Sequence, residues 1–585
     1  MLNFYDFEVF KEDWLVVIIN PVEKTENVII NDKDKLEEYY NAHKGEIWVG
    51  YNNRRYDQYI FKAILCGFDP KTVSDYIIIK DKGGWTYSSI MNKIPMINFD
   101  VMLKNDGGLK SLEGFMGNDI QETSVPFDID RKLTAEEIAE TVKYCKHDVE
   151  QTIEVFLNRK EEFDAAMGLV KIFNLPLKYI GKTGAQRVAH ILGGKGVHYH
   201  DEMEFPIVDT LKLSKYKFIA DWYRDPENRD YSKKQIVEVA GIPHTFAWGG
   251  LHGAPGIIKT NSKGEKSIHS TPYYGTGLFL MADVTAYYPS LQLRYGFGYR
   301  NMGNPENFEK IHGENLRLKK INKKARLPYK IADNAISGQL KDQFSYLYDP
   351  RDNNAITVNG QLLLLDLIEK LENYCELIQS NTDGILIKMP DRFNGNEDAW
   401  YEKIDDIVWE WEQRTGMRMG FDLYIKVFQK DVNNYLIVSE DGGTKTKGAY
   451  TKALSPLDYD LPIINKALVE YMKNGVPVEK TINECDDLIM FQKIIKLSGK
   501  YKYVWHNNQR FTEKCFRVFA SRRTSDSFIG KQKSDRATIE KFANTPEHCF
   551  IDNTDVKNKK IPHKLDKDWY ITIAKDRLIQ FGCDV

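Results

Sequence analysis

The sequence predicts a multidomain chain, α/β at its start and α+β beyond, and three observations predict it. At 585 residues it exceeds what one ordinary hydrophobic core can serve, so two to four domains are expected. Its opening, "FYDFEV" followed by "WLVVIIN", has the pattern of a β-hairpin. Two short apolar runs, "GLFLMADV" (277–284) and "GILIKM" (384–389), each adjoin an aspartate, and a basic helical stretch lies between them.

Taken in order, the hairpin is followed by "TAEEIAETVKYCKHDVEQTIEVFLNRKEEFDAAM", which has a helical period and a Thr-x-x-Glu capping start at Thr134. This helix closes a first domain, 1–165. Residues 166–245 are mixed and read as a connecting region. The first apolar run belongs to 246–300. The basic stretch belongs to 301–345, where two helices broken near Pro328 are expected. Within 346–445, "IQSNTDGILIK" (378–388) reads as two buried strands joined by a tight turn that holds Asp383. "EDAWYEKIDDIVWEWEQRTG" predicts an amphipathic helix and "DLYIKVFQKDVNNYLIV" a hairpin, and 446–585 turns more basic. No internal repeat or low-complexity linker interrupts the chain.

Composition excludes more than it selects. With 42% hydrophobic and 28% charged residues the chain is of soluble globular type, and 81 Lys and Arg against 84 Asp and Glu point to no particular partner. The distribution says more. From Arg317 to Lys330 seven of fourteen residues are basic and none acidic; from Lys500 to Arg536 ten basic and three acidic residues alternate with aromatics. Basic and aromatic side chains together suit a nucleic-acid groove, although a solvated helix face has the same composition. Seven scattered cysteines without a Cys-x-x-Cys pair make neither a zinc site nor a disulfide framework, and His198 and His200 lack further ligands at metal spacing. The acidic start "MLNFYDFEVF" is unlike a signal peptide and no apolar run is long enough for a bilayer, so a cytoplasmic protein with no membrane partner is expected.

Two sets of carboxylates stand out. Asp6 and Glu8, two apart on a strand, leave by one face; Asp57 follows Asn53 by four; Tyr144 precedes Asp148 by four on one helix face. Four acids from a strand, a loop and a helix suit two divalent ions, which activate a water and stabilise a leaving oxygen, with Tyr144 placed to orient that water. Farther on, Asp283 ends an apolar strand and Asp383 leaves a turn, as a second pair of ligands would.

In this order the first three motifs resemble those of proofreading 3′→5′ exonucleases, and "SLEGF" (Ser111, Leu112, Phe115) resembles the motif by which such domains hold a single-stranded 3′ end. The resemblance implies a ribonuclease-H-like exonuclease over 1–165. It assigns Asp6, Glu8, Asp57 and Asp148 to metal, and Asn53, Tyr56, Ser111 and Leu112 to the frayed strand. "DVTAYYPS" resembles motif A of family B DNA polymerases, which makes Asp283 and Asp383 metal ligands and Tyr288 the gate against a 2′-hydroxyl. "YKIADNAISGQL" resembles motif B: Lys330, Asn334 and Gly338 share one helical stripe, the lysine for the triphosphate and the glycine for the template–primer pair, with Arg326 a helper. "AWGGLHGA" (Gly249, Gly250) resembles the Tyr-x-Gly-Gly motif with Ala247 for its tyrosine. "NNYLIV" resembles the Lys-x-Tyr primer motif, with Tyr435 retained, Asn433 for lysine and Lys430 as substitute. Two further departures are Asn381-Thr382-Asp383 for Asp-Thr-Asp, with Thr382 still against DNA, and Ser337-Gly338 for Tyr-Gly.

The resemblance as a whole implies a DNA polymerase with proofreading, most like compact bacteriophage members acting in the host cytoplasm. Its right hand would comprise a palm (246–300 and 346–445), fingers (301–345) and a thumb (446–585). It implies Mg2+ or Mn2+, two ions per active site, dNTP substrates, primer–template DNA, a single-stranded 3′ end in the exonuclease site, other replisome proteins as partners, and a monomer. Intervals of about 47 residues from Asp283 to Lys330 and about 45 from Gly338 to Asp383 leave no room for protein-priming insertions. The rival readings are an exonuclease with a degenerate polymerase half, and a non-catalytic DNA-binding replication factor.

Overall fold

A computed structural model describes residues 1–585. The architecture is α/β and multidomain, and the chain divides into two compact units. The first comprises Met1–Thr183, Leu454–Ile463 and Cys485–Tyr570; the second comprises Gly184–Ala453, Ile464–Glu484 and Ile571–Val585.

The first unit holds a five-stranded sheet of β1 (Leu2–Val9), β2 (Trp14–Asn20), β3 (Thr25–Ile30), β4 (Ile47–Gly50) and β5 (Ile97–Asp100), in the order β3-β2-β1-β4-β5. The expected hairpin is present: β1 and β2 pair antiparallel from Phe4 opposite Ile19 to Val9 opposite Trp14. β4 joins β1 in parallel, and β5 joins β4 likewise. Both faces are covered, as parallel strands require. Tyr5 and Phe7 enter a core with Trp48 and Phe61, and Phe4 enters another with Leu112, Val149 and Phe156. The face of β1 that starts apolar at Phe4 therefore ends in Asp6 and Glu8.

The long helix is cut in two. It starts at Ala135 with the expected capping box, the Thr134 hydroxyl accepting from the Glu137 amide at 3.2 Å and the Glu137 carboxylate from the Thr134 amide at 2.8 Å. It stops at Asn158, and a second helix runs Lys160–Ile172. Between them the Arg159 guanidinium donates to the Val101 carbonyl at 2.9 Å and to Asp106, a tertiary contact that periodicity does not reveal. The C-terminal part of this unit adds two small antiparallel sheets. Arg517, fully buried there, donates to the carbonyls of Asn118 (2.6 Å), Gly114 (3.2 Å) and Thr554 (2.6 Å). Burial pulls its pKa down to about 10.

The second unit is built on an antiparallel sheet of nine strands: β6 (Gln235–Val239), β7 (Ile242–Phe246), β8 (His252–Gly253), β11 (Tyr273–Val284), β12 (Glu376–Asn381), β13 (Gly384–Lys388), β14 (Met419–Asp431), β15 (Asn434–Val438) and β16 (Thr444–Lys447). Its order is β16-β15-β14-β11-β13-β12-β8-β7-β6, while β9 (Gly256–Thr260) and β10 (Lys266–Ser270) pair apart from it. One face meets the almost wholly buried helix Pro350–Leu371 and Trp400 and Trp411 of the helix Glu397–Thr415, through Leu280, Ala282, Ile385 and Ile387. The other carries Phe279, Met281, Leu386, Tyr435 and Ile437. Pleating then puts Asp283 on the face of Phe279 and Met281. The basic stretch forms helices Pro305–Leu318 and Lys323–Gln339, and here the expectation needs correcting. The break falls at 319–322, where the Asn322 side chain accepts from the Ala325 amide at 3.0 Å, and Pro328 lies inside the second helix.

Candidate metal centres

In the first unit, Asp57 opens the helix Asp57–Leu65 and accepts the Phe7 amide at 3.3 Å, which pins its carboxyl beside β1. Cys145, on the helix Ala135–Asn158, donates its thiol to the Asp6 carbonyl at 3.3 Å. Donor atoms of Asp6, Glu8 and Cys145 lie within 4.8 Å of one another, and so do those of Glu113, His147 and Asp148. Lys110 bridges Asp148 and Glu113 and sits 4.5 Å over the Tyr144 ring. Asp6, Glu8, Asp57 and Asp148 line a common cleft of about 490 Å³.

The electrostatics are those of crowded acids. Burial first, then mutual repulsion, lifts Asp6 and Glu8 well above the ordinary carboxylate range. Burial takes Asp57 to about 7, and takes Asp148 to about 6 against the pull of Lys110. Burial and then Asp148 keep the Tyr144 phenol protonated. Hard oxygen donors whose charge is this poorly compensated fit a Mg2+ or Mn2+ ion, which would relieve the repulsion.

The remaining sequence-predicted residues of this unit have different surroundings. Asn53 is fully buried, its amide donating to Asn98 at 3.0 Å and the Phe99 carbonyl at 3.2 Å. Tyr56 lines the cleft and shares a 2.8 Å hydrogen bond with Ser74. Ser111 and Leu112, on the helix Leu109–Met116, turn inward, Leu112 into the core and Ser111 to 4.0 Å from the Cys515 thiol. The cleft is instead lined by the preceding backbone, Gly107, Gly108 and Leu109. Lys110, Glu113 and His147 were not read from the sequence. Lys110 and Glu113 have the spacing of any helical ion pair, and nothing local points Lys110 at Asp148.

In the second unit, the β11–β13 register puts Asp283 opposite Gly384, and Asp383 precedes that glycine in the β12–β13 turn. The Val284 amide donates to the Asp383 carbonyl at 2.7 Å. A Cβ on residue 384 would lie 2.2 Å from the Asp283 carboxylate, so the close approach requires glycine. At Gly250 a Cβ would meet the Thr382 hydroxyl at 2.2 Å, so that glycine also admits the turn. Gly249 accepts from the Gln361 side chain at 2.7 Å. The chain from Asp283 to Tyr288 passes through a left-handed Ala286, φ 47°, strain of the kind held at functional sites. Asp383 is raised by burial and then by Asp283, against Lys445 and Lys447. Tyr288 is raised by burial and then by Asp383, which places its ring within electrostatic reach of that carboxylate.

Two lysines absent from the sequence reading complete this centre. Lys445 pairs with Asp283 at 2.6 Å, and Lys447 is held down by burial against the pull of Asp383. Lys445 lies opposite Ile437 and Lys447 opposite Tyr435, so both share the aspartates' face. The strand "TKTK" alternates visibly; its partner strand is what the sequence does not show. Tyr435 is buried in this face, whereas Lys430 bonds Gln580 at 2.8 Å. Lys330, Asn334 and Gly338 form an exposed stripe on the helix Lys323–Gln339, and Arg326 bonds Asn315 at 2.8 Å. Asn381 accepts the Thr382 amide at 3.0 Å.

No protein-family model matches the chain, and no curated protein does. Among solved structures it is similar to the family B DNA polymerase from the hyperthermophilic archaeon Pyrobaculum calidifontis, with TM-score 0.43 and 14% identity over 100% of this chain and 78% of that one. A likeness this distant leaves function to be argued from the two centres. No helix is long and apolar enough to cross a membrane.

Proposed function

We propose that the chain is a template-directed DNA polymerase with a 3′→5′ proofreading exonuclease, a family B member of the compact bacteriophage kind. The observation that carries this reading is the pair of carboxylate centres, one in each compact unit, each assembled from the motifs the sequence orders. The strand order β3-β2-β1-β4-β5 supports a ribonuclease-H-like exonuclease over 1–165. The second centre lies on an antiparallel sheet suited to a palm of 246–300 and 346–445, with 166–245 connecting, fingers at 301–345 and a thumb at 446–585.

In this reading Asp283 and Asp383 would hold divalent ions, which would supply Lewis-acid charge for phosphoryl transfer. Tyr288 excludes a 2′-hydroxyl, and Lys330 with Arg326 receives the triphosphate. Thr382, Tyr435, Gly249 and Gly250 border the primer. Asp6, Glu8, Asp57 and Asp148 serve a single-stranded 3′ end, with Tyr144 as a neutral phenol orienting water. One observation favours an exonuclease with a degenerate polymerase half. Asn381 offers no carboxylate and spends its oxygen on its own turn.

An end-labelled primer–template with Mg2+ separates the readings. Asp383→Ala is expected to stop extension and leave 3′ degradation intact, and Asp6→Ala to do the reverse. A wild type that degrades and never extends, at any Mg2+, Mn2+ or dNTP concentration, would establish the degenerate form.

A further inference from the structure

The exonuclease cleft receives a side chain from far along the sequence. The strand Lys493–Lys496 pairs antiparallel with Cys515–Ala520, Lys496 opposite Cys515. The same segment is fastened to the helix Leu109–Met116 through Arg517 and its bonds to Gly114 and Asn118. Lys496 thereby reaches the cleft above its glycine floor. A Cβ on Gly108 would lie 2.5 Å from the Lys496 ammonium.

Charge makes this placement informative. Asp6, Glu8, Asp57, Asp106 and Asp148 all line the cleft, and Lys496 is the one basic side chain among the lining residues. Lys110, nearby, is already committed to Asp148 and Glu113. Lys496 is exposed and takes part in no ion pair. A polyanionic strand entering an acidic cleft is repelled except where a cation meets a phosphate. Ions held at the carboxylates would offset the charge of the terminal phosphate only. A lysine, a mobile point charge, suits the next one.

We infer that Lys496 is a phosphate-binding residue of this cleft, holding a phosphodiester upstream of the 3′-terminal linkage of single-stranded DNA. The C-terminal segment thus completes a site whose acids come from the first 150 residues. The inference rests on the exonuclease reading above and deepens it by fixing how the strand is held.

The test uses the full chain and fluorescein-labelled oligothymidylate, read by binding without divalent ions and by hydrolysis with Mg2+. Lys496→Ala is expected to raise KM roughly tenfold with kcat within about twofold, and to lower the salt slope of binding by about 0.7, the share of one single-strand phosphate contact. Lys496→Arg restores both. Single methylphosphonates placed along the last four linkages give the decisive reading. One position, internal to the terminal linkage, weakens wild-type binding and leaves Lys496→Ala unaffected. An unchanged melting temperature, expected for so exposed a side chain, shows that the fold is intact. Equal methylphosphonate penalties in both proteins at every position would overturn the inference. If nothing is hydrolysed but the Lys496-dependent position persists in binding, the exonuclease reading falls and the phosphate site stands.

Discussion

Asp57 shows how single residues set the chemistry of the first centre. It is held by the Phe7 amide in a place that disfavours its charge, and its folded pKa is about 7 against an ordinary value near 3.9. A carboxyl raised on folding costs stability wherever it must be ionised. The protein therefore gains stability from this group as pH falls from above 7 toward 4. Asp57→Asn, without divalent ions at pH 8, is expected to stabilise the fold by on the order of 2–4 kcal/mol, measured by urea denaturation. Added Mn2+ should reverse the ranking, raising the wild-type midpoint and leaving that of the variant; a variant less stable than wild type in EDTA would refute the account. At the second centre, Tyr288→Ala is expected to raise incorporation of ribonucleotides relative to deoxynucleotides by an order of magnitude or more, read by primer extension. Asp6 with Glu8, and Tyr144 with Asp148, were legible because strand and helix periods put each pair on one face; Asp57, Asp283 and Asp383 were legible only through the motifs their neighbours resemble. Lys445, Lys447 and Lys496 were not, because each reaches its site through a strand partner that sequence spacing does not encode.

Elements divide along the same line. The β1–β2 hairpin, the capping box at Thr134, the turn at Asp383 and the helix Glu397–Thr415 follow from local pattern and were legible. The break at Arg159 and the position of the break before Lys323 were not, since one depends on Asp106 and the other on a cap by Asn322 that outweighs the proline signal. The β7–β8–β12 edge of the large sheet has its own device. His244 is fully buried, with Nδ1 at 3.0 Å from the Ile242 carbonyl, an acceptor only, so Nδ1 carries the proton. Nε2 then accepts from the Ser380 hydroxyl at 2.7 Å. Burial lowers the His244 pKa to about 4. Below pH 6.5 the unfolded chain binds a proton that the folded one refuses until about pH 4, so stability falls across that window and is fully present above it. His244→Gln is expected to flatten this loss, which amounts to about 3 kcal/mol at most. Unchanged acid sensitivity in the variant would assign the loss to other groups.

At the scale of the whole molecule, the first unit gathers the raised carboxyls of Asp6, Glu8, Asp57 and Asp148, whereas the second sets the depressed imidazole of His244 against the raised carboxyls of Asp383 and Asp352. Calorimetry without divalent ions should therefore show two transitions, that of the first unit rising as pH falls from 7.5 to 5. Arg517 supplies a way to name them. Its guanidinium answers carbonyls of the helix Leu109–Met116 region and of the C-terminal segment, with no carboxylate as hydrogen-bond partner. Replacing it leaves several buried carbonyls unpaired at once, each worth roughly 1–3 kcal/mol. Arg517→Met is expected to lower the transition of the first unit by several degrees, and to raise the KM for single-stranded oligothymidylate as Lys496→Ala does, because it frees the strand that carries Lys496. The transition of the second unit should stay where it is. If both transitions fall together, the C-terminal segment is not a cooperative part of the first unit, and the sequence division near residue 446 describes the molecule better than the spatial one.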